Sequence, residues 1–165
     1  MGLKEEAERR KKRCCFTGHR PEKLKRPERE VKEELEKNIV AAIEAGYITF
    51  ISGMARGIDI FAAEIVLKAR KANPALHLIC AIPYPNFEKK WPEDWQTRYR
   101  VILKAADLIK YISASYNSSC FQKRNVWMID HSAKVIAVFN GTPGGTKNTL
   151  IYAENNNIEI TVIEG

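Results

Sequence analysis

The chain is poor in the residues that staple or metallate a small fold. Its 165 residues include four cysteines and three histidines. Cys14, Cys15, Cys80 and Cys120 form no CxxC pair and have no histidine at ligand spacing. That pattern argues against a zinc site or a disulfide framework and leaves buried, reduced thiols as the reading. No apolar run approaches the roughly 18 residues a membrane span needs. The opening "MGLKEEAERRKKR" also lacks an apolar segment that could serve as a secretion signal. The expectation is a cytoplasmic protein without membrane contact. Internal repeats, low-complexity stretches and a second-domain linker are missing too, so one domain is expected, long enough to bury a core.

What is present is uneven in charge. The formal net charge is +7, and residues 1 to 29 hold eleven Lys/Arg against five Asp/Glu. Six of the seven net charges therefore lie in that segment, and the remainder is nearly neutral. Residues 1–12 read as a basic extension, either a solubilising lead-in or a weak, sequence-blind contact for polyanions. Residues 13–165 read as the domain.

Two hydrophobic periods alternate through that domain. Short β-branched runs at 13–17, 47–52, 76–82, 107–113, 133–139 and 158–164 read as buried strands. Between them lie helical stretches. "PEREVKEELEKNIVAAIEAG" puts Val31, Leu35, Ile39, Ala42 and Ile43 on one stripe, opens at Pro27 and stops at Gly46. "GIDIFAAEIVLKARKAN" repeats the device with Ile58, Phe61, Ala62, Ile65 and Val66, and further helices fit 92–106, 120–132 and 146–157. On the 120–132 helix, Val126, Trp127 and Ile129 are expected to face the core. Alternation of this kind predicts an α/β, Rossmann-like three-layer domain: a mostly parallel sheet of about six strands with helices on both faces.

In such folds ligands sit beyond the carboxyl ends of the strands. The unusual residues gather there: "GHRPEK", "SGMARGID", "PYPNFEKKW", "SASYNSSC" and "NGTPGGTKNT" follow successive strands. In the last of these, Asn140, Gly141, Gly144, Gly145, Thr146 and Thr149 make a candidate phosphate cradle, with backbone N–H groups and a helix dipole behind them, although a PGG turn also serves as a plain strand-to-helix connection. Ser52, Gly53, Met54, Arg56, Gly57 and Asp59 form a second such turn, in which Arg56 can pair with phosphate and Asp59 either caps the helix or meets the ligand. Gly18, His19 and Arg20 can hold a diphosphate or a ribose hydroxyl. Pro83 with Tyr84, Phe87, Trp91 and Trp95 offers aromatic surface for a base, or simply for a core. Arg124 and Asn125 share one helical turn. His77 reads as structural, and His131 as a charge at a helix end. No metal site is expected.

"TGHRPEKL", "FISGMARGIDIFAAE", "CAIPYPNFEKKW", "QKRNVWMIDHS" and "AVFNGTPGGTKNT", in this order, resemble the YpsA-like family of the SLOG superfamily, over about residues 13 to 163. That superfamily joins the DNA-processing protein DprA and the LOG phosphoribohydrolases. The resemblance implies a Rossmann-like fold, a nucleotide-derived ligand such as an ADP-ribose or NAD relative or a cyclic nucleotide signal, and a homodimer. "SGMARGID" is similar to the SG-x-A-x-GID turn of the DprA branch, and "PGGTKNT" to the PGG-x-G-T loop of the LOG branch. A LOG-type hydrolytic site pairs an arginine with a glutamate just after that loop. Arg124 matches the first, but Leu150 and Ile151 stand where the acid would be, and the next acid is Glu154. Glu88, Glu93 and Asp94, in a Trp-flanked loop, could instead fold over the site. The leading expectation is a sensor or sequestering protein that binds its nucleotide-type ligand without a required cofactor. A nucleotide N-glycosidase and a DprA-like binder of single-stranded DNA are the alternatives.

Overall fold

The computed structural model describes residues 2–165, and within them a six-stranded sheet is built around β1 (Arg13–Thr17). The other strands are β2 (Thr49–Ser52), β3 (His77–Ile82), β4 (Leu108–Tyr111), β5 (Lys134–Phe139) and β6 (Glu159–Glu164). Their order is β4-β3-β2-β1-β5-β6, and all five pairings are parallel. The chain steps outward from β1 to β4 and then returns to lay β5 on the other side of β1. The carboxyl ends of β1 and β5 therefore flank the point where strand order reverses, the usual ligand crevice of an open parallel sheet.

Period-two alternation divides the sheet residues between two cores. Cys14, Phe16, Phe50, Leu78, Ile136 and Val138 turn to one face, where they meet α2 (Glu28–Glu44), α3 (Ile58–Ala72) and α4 (Glu93–Ala105). Cys15, Ile51, Ala81 and Val135 turn to the other, under α5 (Cys120–Asp130) and α6 (Gly145–Asn155). Val31, Leu35, Ile39 and Ala42 form the buried stripe of α2, as the sequence spacing predicts. The three-layer α/β architecture is thus as expected. All four cysteines are buried and unbridged, and burial holds the Cys15 and Cys80 thiols up at about 12.

Two expectations are corrected. The runs at 107–113 and 158–164 form strands, but not wholly buried ones: β4 and β6 are the two sheet edges, every residue of β4 is exposed, and in β6 Ile163 alone is buried. On α5 Ile129 is buried as expected and Met128 joins it, while Val126 and Trp127 are only partly buried, Trp127 packing at the margin of the core and stacking on His131. The helix is rotated so that Arg124 and Asn125 point inward with the core residues. The basic opening segment contains a short helix, α1 (Leu3–Arg10), with no buried residue; Arg10 donates to the Ser132 carbonyl at 3.1 Å. No helix of the described residues is long and apolar enough to cross a membrane.

Glycines join the first two crossover loops. A Cβ on Gly18 would lie 2.5 Å from the Ile58 side chain, and one on Gly57 would run into the His19 carbonyl oxygen and sit 3.0 Å from Pro21. Gly57 also has φ +95°, which disfavours any other residue. Gly18→Ala and Gly57→Ala are each expected to lower stability by about 1–3 kcal/mol in urea unfolding. Wild-type midpoints for both would show that the contact between these loops is not constrained.

Candidate functional site

The carboxyl end of β1 carries His19 into the reversal point, and His19 ties two loops there together. Its Nε2 accepts the Asn140 backbone N–H at 3.0 Å, so the ring is neutral with its proton on Nδ1. Burial, then Lys23 and Lys25, hold its pKa below the usual value, in keeping with that tautomer. Asn140 is occupied throughout: its side chain donates to the Lys23 carbonyl at 2.9 Å and accepts the Thr142 N–H at 3.0 Å, while Lys25 bonds its carbonyl. The loop before α6 is thereby braced against residues 19–25.

The two glycine turns that look alike in sequence behave differently. In "SGMARGID" the turn is closed on itself. Ser52 Oγ donates to the Asp59 carbonyl at 2.8 Å and accepts the Met54 N–H at 3.2 Å, with Met54 buried at φ +60°. The Ile58 N–H at the start of α3 is covered by the His19 carbonyl. Ser52, Gly53, Met54 and Gly57 therefore build the turn and do not line the cleft beyond it. In "GTPGGTKNT" the start of α6 is open. Gly141 and Gly144 take positive φ, a Cβ on Gly144 or Gly145 would meet nothing within 4 Å, and the N-cap Gly144 offers no side-chain acceptor. The first N–H groups of α6 consequently lack an intrahelical partner and face outward as a ready anion site. Thr146 and Thr149 are both buried; Thr146 lines this opening, whereas Thr149 lies outside it and bonds back to the Gly145 carbonyl at 2.8 Å.

These loops surround a cleft of about 670 Å³. Gly18, His19, Arg20, Arg56, Asp59, Arg124, Asn125, Gly144, Gly145 and Thr146 all line it. Pro83, Asn140, Gly141 and Thr149 stay outside, as supports: the Pro83 carbonyl accepts the Ser113 N–H at 3.0 Å. Sequence reasoning missed Lys23, Lys90, Thr142 and Phe121, which also line the cleft. Lys90 and Phe121 belong to the loop after β3 and to the first turn of α5, so their convergence depends on the sheet order and has no local signal. Of the aromatic group, Tyr84, Phe87 and Trp91 reach the cleft, while Trp95 packs on Phe61 with Arg98 over its ring. Two shallower depressions run along α2, lined mostly by its own charged side chains.

The floor holds two buried charged side chains that bond to other groups and not to each other. Arg124 is 6 % exposed and donates through Nε to Asn125 Oδ1 at 2.8 Å and through Nη1 to the Gly53 carbonyl. Asp59, also 6 % exposed, accepts the Ala55 N–H through Oδ2 at 3.2 Å. Burial pushes the Asp59 pKa up to about 6, against the pull of Arg124 and the Ala55 N–H, and lowers that of Arg124. Five cationic side chains line the cleft, namely Arg20, Lys23, Arg56, Lys90 and Arg124, against the single carboxylate of Asp59. Glu88, Glu93, Asp94 and Glu154 do not line it; Glu88 is buried behind the aromatic wall, and Glu154 is on the exposed side of α6. The described residues contain no cluster of metal-ligating side chains.

A family model described as the YspA SLOG family (YpsA) matches residues 14–164. The chain belongs to this family. It is 33 % identical over 117 residues to the uncharacterized SPbeta prophage-derived protein YoqJ of Bacillus subtilis, covering 64 % of this chain and 68 % of that one. It is 27 % identical over 118 residues to the UPF0398 protein BH1768 of Halalkalibacterium halodurans, covering 70 % of this chain and 62 % of the relative's length. Among solved structures it is similar to DNA processing protein A (DprA) of Helicobacter pylori, described for its single-stranded DNA binding mode, with TM-score 0.67, 19 % identity and coverage of 99 % and 70 %. DprA of Streptococcus pneumoniae matches with TM-score 0.64 and 16 % identity, over 95 % of this chain and 52 % of that one. At such identities these two likenesses show the fold. This SLOG domain thus spans about half of the pneumococcal protein.

The Asp59 pKa gives a signed prediction. Because it is higher folded than unfolded, its contribution to stability is fully present below pH 4 and is lost as pH rises through about 6. Asp59→Asn removes that loss. The melting temperature of the variant relative to wild type is expected to climb between pH 4 and pH 7 and level off above. A difference independent of pH would mean that Asp59 is solvated.

Proposed function

We propose that this SLOG domain binds a nucleotide-derived small molecule, with its phosphate on the open start of α6 and its base against Tyr84, Phe87, Trp91 and Phe121. The observation that carries the reading is the contrast between the two glycine turns: one is sealed by its own chain, and the other presents unpartnered N–H groups to a cation-lined cleft. A volume near 670 Å³ suits a nucleotide-sized molecule. ADP-ribose and NAD relatives or a cyclic nucleotide signal remain the ligand class, held for sensing or sequestration. Turnover has little support, since Asp59 is the one acid in the cleft and Glu154 lies away from it. A second copy of the chain is the proposed partner, and the open β4 edge, with Leu108, Ile109 and Tyr111 exposed, is the surface available to it.

The second reading is single-stranded DNA. The shared fold with the H. pylori DprA and the five cations favour it. Counterion release would make such binding fall steeply with salt.

Gly145→Ala separates binding from folding. A Cβ there has open space in the protein and suits a helix start, so the melting temperature is expected to hold or rise. The same methyl group would stand where a phosphate approaches the N–H groups, and affinity for ADP or ADP-ribose is expected to drop about tenfold or more by isothermal titration. Unchanged affinity would remove the α6 start from the site. Steeply salt-dependent binding of a short oligothymidine, with none of the nucleotides, would favour the second reading.

A further inference from the structure

The cleft contains one side chain that a phosphate cannot satisfy. Asp59 lines the cleft beside Gly53, with Arg124 the cation that acts on its charge. An ionised carboxylate only accepts hydrogen bonds, so it repels phosphate and attracts a neutral donor. Its protein partners leave it short. Oδ2 has the Ala55 N–H, while among the described residues Oδ1 has no hydrogen-bond donor. Arg124 does not fill the gap, because Gly53 and Asn125 hold its Nη1 and Nε and it makes no ion pair with Asp59. The space between the two side chains is kept by glycine: a Cβ on Gly53 would be 2.9 Å from both Arg124 Nη1 and Asp59 Oδ2. Asp59 as a residue is nine-tenths buried, yet Oδ1 stays accessible from the cleft, where water or an entering ligand supplies the donors that the protein does not.

A nucleotide offers such donors in two places, the ribose hydroxyls and the exocyclic amine of some bases. The ribose joins the phosphate to the base, so it is the part that crosses the floor between the α6 start and the aromatic wall. Its two vicinal hydroxyls also match the two lone-pair sets of one carboxylate oxygen. Resting on the nucleotide reading above, we infer that Asp59 is a specificity-determining residue that accepts hydrogen bonds from the ribose hydroxyls, so that the cleft selects ribonucleotides over deoxyribonucleotides. The burial that raises the Asp59 pKa strengthens each such bond once donors arrive. The same selection counts against DNA as the occupant.

The test is isothermal titration of the wild-type chain at pH 7.5 with ADP, GDP, CDP and UDP, each beside its 2′-deoxy counterpart, with 3′-deoxyADP and inosine diphosphate added. Wild type is expected to bind the preferred ribonucleotide about ten- to a hundredfold more tightly than its deoxy forms, the range for losing a bond to a charged group. Inosine diphosphate, which lacks the adenine amine, is expected to match ADP. Asp59→Asn should bind ribo and deoxy forms alike. Equal affinity of the wild type for ribo and deoxy forms would overturn the inference and leave the nucleotide reading intact, even if the variant failed to fold. A penalty that follows inosine and not the deoxy sugars would overturn it in favour of the base amine. No binding across the whole panel would overturn both.

Discussion

Gly57 brings the start of α3 against the His19 carbonyl so closely that no side chain fits between them, and Gly18 does the same against Ile58. That pair of contacts decides where the end of β1 points. With the backbone of residues 18 and 19 packed on α3, the His19 ring lies against Phe139 at the end of β5, where Nε2 takes the Asn140 N–H. The loop before α6 is positioned in turn, because Asn140 is held by Lys23 and Lys25 as well. Three loops from distant parts of the chain are thus locked around the reversal point of the sheet. The open N–H groups of α6 are the consequence.

The fold was legible because it rests on periodicity. The apolar stripe of α2, the β-branched runs and the alternation between them specify a parallel α/β sheet without further information. What misled was the exposure of β4 and β6. An apolar run does not say whether its strand lies inside the sheet or at its margin, and "LIKY" reads as buried until the order β4-β3-β2-β1-β5-β6 is known. The rotation of α5 failed for a related reason. Trp127 is the more apolar choice by composition, yet the helix turns Arg124 and Asn125 inward.

The cleft was legible in its glycine loops but not in their division of labour. "SGMARGID" and "PGGTKNT" carry similar residues after similar strands, and sequence cannot tell a glycine that admits a neighbouring chain from one that admits a ligand. In the fold they differ in what a methyl group would meet: protein at Gly18, Gly53 and Gly57, open space at Gly144 and Gly145. Lys90 and Phe121 were invisible because their place in the cleft is set by strands far from them in sequence. Among the described residues, the cations and the helix N–H groups share the cleft with one carboxylate, that of Asp59.

The central claim is that the α6 start, and not the closed turn before α3, receives the anionic group. Amide chemical-shift mapping of the isotope-labelled chain during titration with ADP tests it residue by residue. The account predicts the largest shifts at Gly145, Thr146 and Lys147, with smaller ones at Gly18, His19 and Arg20. Shifts centred on Gly53 to Ala55, or on α1 and its basic neighbours, would contradict it.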